Sequence, residues 1–457
     1  MPPQYVIQDP NTPYAIEMIR RMRSRFGWKA VCFYSSSRHV PTAPVWPPEL
    51  SQDEFVAASY RVDSSGMSDF IDHLARHHDV RAVVPYNEVV LDHAITIAEQ
   101  LRLPWVQPEI MRRFRDKHAL KTHLRQQDPD LHLNFHTLVH SPSETLAVVR
   151  RESLARFVLK PNNGYGNVDI GIFDADVPRA TLEAHWNRKA GSTWLLEGFI
   201  SGPEFHCNGQ VDAEGNITII DIGQSLYRET TSRGLAKLRA DQTPSDSPFF
   251  LSVSDYTRRI IAASGLRRSP FHAEVRIDEQ GPCLVECAAR LIGADYAFLT
   301  NIMHGPPFDI FDLAAAHYGA PAPTGNPSLN WREYDSKVLS KIRGVATRPE
   351  RVRSLAGVSE VEAMPEFGMW MAKPFVGQSL NPTNSLFSSA YALAIQTSSS
   401  DDLDSIEAAV RRSIRWNLDM PNMLHRAQFG ASTLLHSLLR RLPRHRSALA
   451  ARMRVFA

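Results

Sequence analysis

The sequence predicts an α/β protein in which a parallel-sheet domain precedes antiparallel sheets, a further small subdomain and a basic helical tail. Three observations carry this expectation. Strand and helix signals alternate over residues 1–115, the rhythm of βαβ units. The stretch Phe271 to Ala294 reads as a β-hairpin, with alternation in FHAEVRI, a turn at Asp278-Glu279-Gln280-Gly281 and a return in CLVEC. A chain of 457 residues, 43% hydrophobic and 22% charged, has room for about three domains with sizeable cores.

Composition narrows the function class. A formal net charge of +2 gives no overall preference for nucleic acid or a membrane surface. Cys32, Cys207, Cys283 and Cys287 follow no disulfide or zinc spacing. Nothing at the start reads as a charged and then apolar leader, and no apolar run reaches the length of a membrane span. The expected setting is a reduced cytoplasm.

In the first 115 residues, Tyr5–Gln8 is a short strand, a helix from about Pro13 to Phe26 carries Ile16, Ile19 and Met22 on one face, and Ala30–Ser35 is a second strand. A Pro-rich connection follows at 41–48. A helix near 67–78 leads to a third strand over 81–88, and 91–101 is another helix. A G-x-G-x-x-G turn is missing, so this is not a dinucleotide site. Ligands of open α/β sheets sit beyond the carboxyl ends of strands. Pro85 to Glu88 occupies such an end, so Glu88 is either a substrate contact or a structural strand-end acid.

Residues 113–127 read as one helix with Lys117 near its start, where a cation is disfavoured by the macrodipole. FVLK ends a strand on Lys160, and a loop with Gly164 and Gly166 follows before VDIGIF resumes as strand. Such a loop can cradle phosphate oxygens with backbone N–H groups, or it can be a plain hairpin turn. TWLLEGFISGPEFHCNGQV holds two strands broken at Ser201-Gly202-Pro203. Its Glu197–Ile200 hinge could offer backbone groups to a purine edge, with Glu204 placed for ribose hydroxyls. Residues 216–227 form another strand, and 230–248 read as a long polar loop, basic at Arg233, Lys237 and Arg239. A helix over 254–266 returns the chain to the hairpin.

Folding that hairpin about Gln280 sets Glu274 opposite Glu286. Opposed residues on one sheet face have Cβ atoms about 5 Å apart, where like charges repel. Either the pair is a solvated face, or a hard divalent cation such as Mg²⁺ turns the repulsion into a site. Arg290 follows four residues after Glu286. Beyond it come a helix at 308–319, a Pro-rich linker at 320–327, short strands between 328 and 400, and a helix over 401–416. Residues 421–457 hold seven arginines and no acid, with Leu434, Leu435, Leu438, Leu439 and Leu442 in one helical stripe. That tail suits a helix packed on its own domain or a second subunit, or one lying on an anionic membrane or a carrier protein.

Taken in order, these pieces resemble the ATP-grasp superfamily, and within it the bacterial L-amino acid ligases and related peptide-forming carboxylate–amine ligases. The likeness runs through Asp116-Lys117, FVLKPNNGYGN (157–167), LLEGFISGPEF (195–205) and FHAEVRIDEQGPCLVECAARLIG (271–293). It implies a Rossmann-like N-terminal domain over 1–115 and an ATP-grasp domain over 116–325, with a small lid (116–195) and a catalytic sheet (196–325). A C-terminal subdomain over 326–417 and the tail 418–457 complete the chain. By the same resemblance, Lys117 and Lys160 are the phosphate lysines, and Asn163, Gly164, Gly166 and Asn167 belong to the mobile phosphate loop. Glu197, Gly198, Phe199 and Ile200 match the adenine hinge and Glu204 the ribose acid. Glu274 and Glu286 match the Mg²⁺ carboxylates, and Arg290, with Glu286 and Lys160, the catalytic set. Glu88 and Arg233 are candidate substrate contacts.

The implied activity is an ADP-forming ligase that joins an amino acid or small carboxylic acid to an amine through an acyl phosphate, in secondary-metabolite biosynthesis. ATP and Mg²⁺ (or Mn²⁺) are its implied cofactors, and a homodimer its implied assembly. A carrier protein as acyl acceptor, or a non-catalytic nucleotide-binding protein, are the competing readings. One departure bears on these: the family pattern E-x-N-x-R is Glu286-Cys287-Ala288-Ala289-Arg290 here, so a second metal would lack an oxygen ligand. The phosphate loop also carries Tyr165 and Asn167 where smaller residues are usual.

Overall fold

The structure, a computed structural model, describes residues 2–10, 12–35, 52–63, 65–104, 108–189, 191, 193–230, 234–293, 296–321, 328–385 and 388–419. The tail from 420 onward and Arg233 lie outside these residues.

The N-terminal domain is built on four parallel strands: β1 (Gln4–Gln8), β2 (Lys29–Ser35), β3 (Val56–Val62) and β4 (Val80–Val84). Their spatial order is β3-β2-β1-β4. The βαβ rhythm therefore yields the expected parallel sheet, with β3 added to the strands read from sequence. Its side chains alternate half-buried and exposed, so no apolar run marked it. The order reverses between β1 and β4, and Asp9 and the Tyr86-Asn87-Glu88 turn stand at their carboxyl ends, where open α/β sheets bind ligands.

A four-stranded antiparallel sheet follows: β5 (His136–Val139), β6 (Arg156–Pro161), β7 (Gly171–Asp174) and β8 (Trp194–Gly198), in the order β5-β8-β6-β7. The strand expected to resume at Val168 begins only at Gly171, because Asn167 and Asp169 take left-handed backbone angles (φ 61° and 59°). The helix read over 113–127 is two helices, Pro108–Arg115 and Lys117–Gln127. Asp116 breaks them with an extended backbone and caps the second by accepting from the Ala119 N–H at 2.8 Å.

The largest sheet has eight strands in the order β13-β12-β9-β10-β11-β14-β18-β16. They are β9 (Glu204–Val211), β10 (Ile217–Glu229), β11 (Leu235–Gln242), β12 (Ser269–Asp278), β13 (Gly281–Ala288), β14 (Val338–Arg343), β16 (Phe367–Ala372) and β18 (Ala392–Thr397). Strands from both sides of residue 325 thus share one sheet. β11 corrects the long loop expected at 230–248. Lys237, Arg239 and Asp241 alternate in sequence with Leu238 and Ala240, but a bulge opposite Tyr227 shifts the phase, so Lys237 and Ala240 line the cavity while Arg239 pairs with Glu407. A smaller sheet of β15 (Glu350–Ala356), β17 (Ser379–Leu380) and β19 (Arg415–Asp419) closes the chain. The last helix, expected to reach 416, ends at Ser413, because Arg415 to Asp419 pair with β15.

One face of the large sheet packs on the helix Pro248–Ser264, whose Val253, Tyr256, Ile260 and Ile261 share a core with Phe205, Cys207 and Val275. Residues 296–320 fold back on the N-terminal domain. Phe308, Phe311 and Tyr318 enter its core beside Tyr5 and Tyr14, and Arg21 and Arg25 pair with Asp309 and Asp312 at 2.8 and 3.2 Å. This docking sets the carboxyl end of β1 and β4 against the open face of the large sheet.

Candidate active site

The hairpin delivers the two acids as expected, by a slightly different route. Its turn is the two-residue Glu279-Gln280, which alone would set Glu274 against Val285. A bulge next to Glu274 takes up the extra residue, and Glu274 pairs with Glu286. Both side chains line a cavity of about 330 Å³ between the large sheet and the N-terminal domain. Burial by itself would raise the Glu274 carboxyl. The hydrogen bond and charge of His272, 3.6 Å away, outweigh it and hold the group at about 2. Two carboxyl oxygen donors facing each other suit Mg²⁺. These two residues therefore fit the metal that the resemblance implies. Ala288 is buried directly opposite His272 and offers no oxygen.

Two lysines approach the acids from the lid. Lys117, in the first turn of its helix, lies 3.2 Å from Glu286 and donates to the Gly164 carbonyl at 2.7 Å. The helix start is fixed from the loop: Asn162 accepts from the His118 N–H at 3.0 Å. Asn162 was not singled out in the sequence, because nothing local ties it to a helix start 44 residues earlier. Asn163, by contrast, is exposed, and Gly166 and Asn167 line the cavity. Lys160 is buried, lies 2.6 Å from Glu197 and donates to the Val285 carbonyl at 3.4 Å.

Glu197 has a different neighbourhood from the one the sequence suggested. Its carboxylate is shared between Lys160 and the buried Lys121, which lies 2.5 Å away. Burial would raise the carboxyl, and the two lysines overcome it and hold it at about 2. Lys121 was missed because nothing local distinguishes a helical lysine pointing inward. The hinge also departs from its expected role in part. The Gly198 N–H donates to Phe135 at 2.9 Å, the Phe199 N–H to Arg156 at 3.1 Å, and the Gly198 carbonyl accepts from Asn134 at 2.7 Å. Buried backbone groups must be paired, and these are paired inside the lid. Glu197, Gly198, Phe199 and Ile200 still line a narrow slot together with Val158, Lys160 and Glu204. Glu204 accepts from Arg276 at 3.0 Å, and Arg276 also donates to the Ile200 carbonyl at 3.0 Å. The slot and the cavity meet at Asn167, Glu274 and Glu286, which line both.

Arg290 and Glu88 form the opposite wall. Arg290 lies 2.5 Å from Glu88, whose other oxygen is 2.6 Å from Arg115. All three are buried. The Glu88 carboxyl, which burial would raise, is pulled to about 2 by Arg290 and Arg115. Glu88 thus orients the arginine. On the floor between these walls, His206 and His272 of neighbouring strands face the cavity. Gly223 makes room for His206, since a Cβ there would lie 2.5 Å from its ring. Neither histidine stood out in the sequence, where each sits inside a strand with no ligand spacing.

A strand-end lysine, a glycine loop, a narrow slot and opposed carboxylates thus meet around one cavity. Residues 155–297 match the ATP-grasp domain family, and the chain carries an ATP-grasp domain. Among curated proteins it is 25% identical over 146 residues to dapdiamide A synthase of Enterobacter agglomerans. That match covers 30% of this chain and 33% of the relative, so it spans about a third of the relative's length. Two solved structures share the fold. The L-amino acid ligase of Bacillus licheniformis superposes with a TM-score of 0.71 at 17% identity, over 91% of this chain and 98% of that one. Biotin carboxylase of Campylobacter jejuni, in a complex with an ATP analogue, gives 0.61 at 14% identity over 91% and 92%. No helix among the described residues is long and apolar enough to cross a membrane.

Proposed function

We propose that this protein is an ATP-dependent carboxylate–amine ligase that releases ADP and phosphate. The observation that carries the reading is the meeting of Glu274, Glu286, Lys117 and Arg290 around one cavity that opens from the nucleotide slot. A carboxylate does not condense with an amine at neutral pH, because its oxygen is a poor leaving group. Attack of a carboxylate oxygen on the γ-phosphorus of ATP expels ADP and gives an acyl phosphate. Positioning and charge neutralisation supply most of the catalysis for such a transfer. Lys160 and Lys117 lie where they would neutralise phosphate oxygens, and the Gly164–Asn167 loop would cover them. Glu274 and Glu286 would hold Mg²⁺, which supplies further charge neutralisation to the phosphates when bound. The amine nitrogen then attacks the acyl carbon, the C–O bond to phosphate breaks, and Arg290 stabilises the oxyanion. Glu88 keeps that guanidinium in place. Closure of the lid excludes water, which would otherwise hydrolyse the intermediate.

The test is phosphate release with ATP and Mg²⁺ across a matrix of amino acids and amines, alone and in pairs, with Glu286→Gln beside it. Release that requires a pair, and falls at least about 10²-fold in the variant, is the expected result. ATP binding with no release under any pairing would overturn the reading in favour of a non-catalytic nucleotide-binding protein. We also propose the homodimer and a role for residues 421–457, on the family resemblance and the seven arginines there. Deleting that segment should leave ligation of small molecules intact and impair only transfer to a carrier protein.

A further inference from the structure

Register lines up two rows of side chains across the open face of the large sheet. In the first, His206 on β9 pairs with Glu274 on β12, and Glu274 with Glu286 on β13. In the second, Asp221 on β10 pairs with Asn208, Asn208 with His272, and His272 with Ala288. Residues two apart on a strand leave the same face, so His272 and Ala288 stand beside the two acids. The second row is a chain of hydrogen bonds. Asp221 accepts from Nδ2 of Asn208 at 2.6 Å and from the Thr300 hydroxyl at 2.9 Å. That contact fixes the Asn208 amide, whose Oδ1 can only accept, and Oδ1 lies 2.9 Å from Nδ1 of His272. Nδ1 therefore carries a hydrogen, and in the neutral ring the lone pair is on Nε2. Nε2 stands 3.6 Å from a Glu274 oxygen, and His272, Glu274 and Glu286 all line the cavity. Ala288 ends the row and brings no donor atom.

Building on the ligase reading, we propose that Nε2 of His272 is a third protein ligand of the metal held by Glu274 and Glu286, supplying the donor that Ala288 does not. Atoms that share one octahedral ion at about 2.1 Å stand roughly 3.0 Å apart as neighbours and about 4.2 Å apart when opposite. The 3.6 Å between Nε2 and Glu274 lies inside that range. A metal-bound histidine donates its other ring N–H to a polar group that is itself held, which fixes the tautomer and the ring plane. Asn208, backed by the buried Asp221 and Thr300, is such a support. His206 also flanks Glu274, but among the described residues neither of its ring nitrogens has a hydrogen-bond partner, so nothing orients it as a ligand. A nitrogen donor changes what the site selects. Mg²⁺ takes oxygen ligands, whereas imidazole favours first-row transition ions. With His272 in the set, the site accepts Mn²⁺ or Co²⁺ more readily than two carboxylates alone would.

The test reads the metal directly, on the whole protein loaded with ADP and Mn²⁺. Pulsed EPR should show coupling between the Mn²⁺ electron spin and a nitrogen, and growth on isotopically labelled histidine should identify that nitrogen as an imidazole's. His272→Gln should lose the coupling and bind Mn²⁺ at least about tenfold more weakly by calorimetry, with a smaller change in its affinity for Mg²⁺. His206→Gln should keep the coupling, which makes the assignment from the other side if the first variant does not fold. Mn²⁺ bound by the wild type without nitrogen coupling would overturn the proposal and leave His272 as a residue that positions Glu274. Coupling that persists in His272→Gln, or disappears in His206→Gln, would give the nitrogen to His206 and overturn it equally. Unchanged Mn²⁺ affinity in His272→Gln would do the same. A wild type that binds no Mn²⁺ removes both this ligand and the metal role of the two acids. The ligase reading fails separately: imidazole coupling in a protein that releases no phosphate with any substrate pair supports the ligand and removes the ligase.

Discussion

The two ends of the central cavity handle charge in opposite ways. At the nucleotide end, each buried charge meets a protein partner: Glu197 holds Lys121 and Lys160, Glu286 lies against Lys117, and Glu88 joins Arg290 to Arg115. On the floor of the cavity, by contrast, neither ring nitrogen of His206 nor the hydroxyl of Tyr296 has a hydrogen-bond partner among the described residues, although Arg343 nearby donates to Ser389 at 3.2 Å. The contrast teaches what each end is built to receive. Nucleotide phosphates bring several negative charges, and the lysines at this end are those that would meet them.

The sharpest way to break this comparison is at Glu197. Glu197→Gln leaves Lys121 and Lys160 buried around a neutral side chain. Breaking a buried pair by removing one partner costs about 3–5 kcal/mol. Urea denaturation should show a loss in that range. A loss under about 1 kcal/mol would mean that the lysines find water, and that the nucleotide end is less tightly paired than its geometry implies.

Next in size is Arg290. Arg290→Met should lower kcat about 10²-fold with little change in the KM for ATP, since the contact matters where charge develops. Arg290→Lys should not rescue it, because a single ammonium cannot reproduce the planar fork that meets Glu88. Full rescue by lysine would reduce Arg290 to a generic positive charge.

Asp221, beneath the cavity floor, offers a smaller effect. It is fully buried 4.0 Å from His206 and accepts from Asn208 at 2.6 Å and Thr300 at 2.9 Å. Burial pushes its carboxyl up to about 6 from an ordinary 3.8. An acid whose folded value is raised keeps its proton longer in the folded chain than in the unfolded one. Stability should therefore fall as pH rises from about 4 to 6 and level off above. Asp221→Asn should remove that slope and gain about 1–3 kcal/mol at pH 7.5. Urea midpoints at four pH values decide it, and an unchanged slope in the variant would exclude Asp221 as its source.

The nucleotide end was legible in the sequence because its chemistry is written locally. FVLKPNNGYGN keeps a strand, its terminal lysine and a glycine loop within eleven residues, and the hairpin fixes Glu274 and Glu286 by counting from a turn. Even there, the bulge that corrects the hairpin's register and the capture of Glu197 by Lys121 were invisible. A one-residue slip or an inward-facing helical lysine has no local signature. The segment 230–248 shows the converse failure. Its charges made it look like a loop, yet residues 235–242 pair as a bulged strand whose Lys237 faces a cavity.

What the chain determined by itself is the order of its elements, the parallel N-terminal sheet, the strand-end Lys160 with its glycine loop, and the opposed acids of the hairpin. Periodicity, turn chemistry and spacing along one backbone suffice for those. Tertiary structure alone decided which surface faces them. Glu88 meets Arg290 from 202 residues away, and β14 sits beside β11 after a separation of about a hundred residues. Such neighbours are set by how sheets stack and helices dock to bury apolar area, a property of the whole fold that no short stretch encodes.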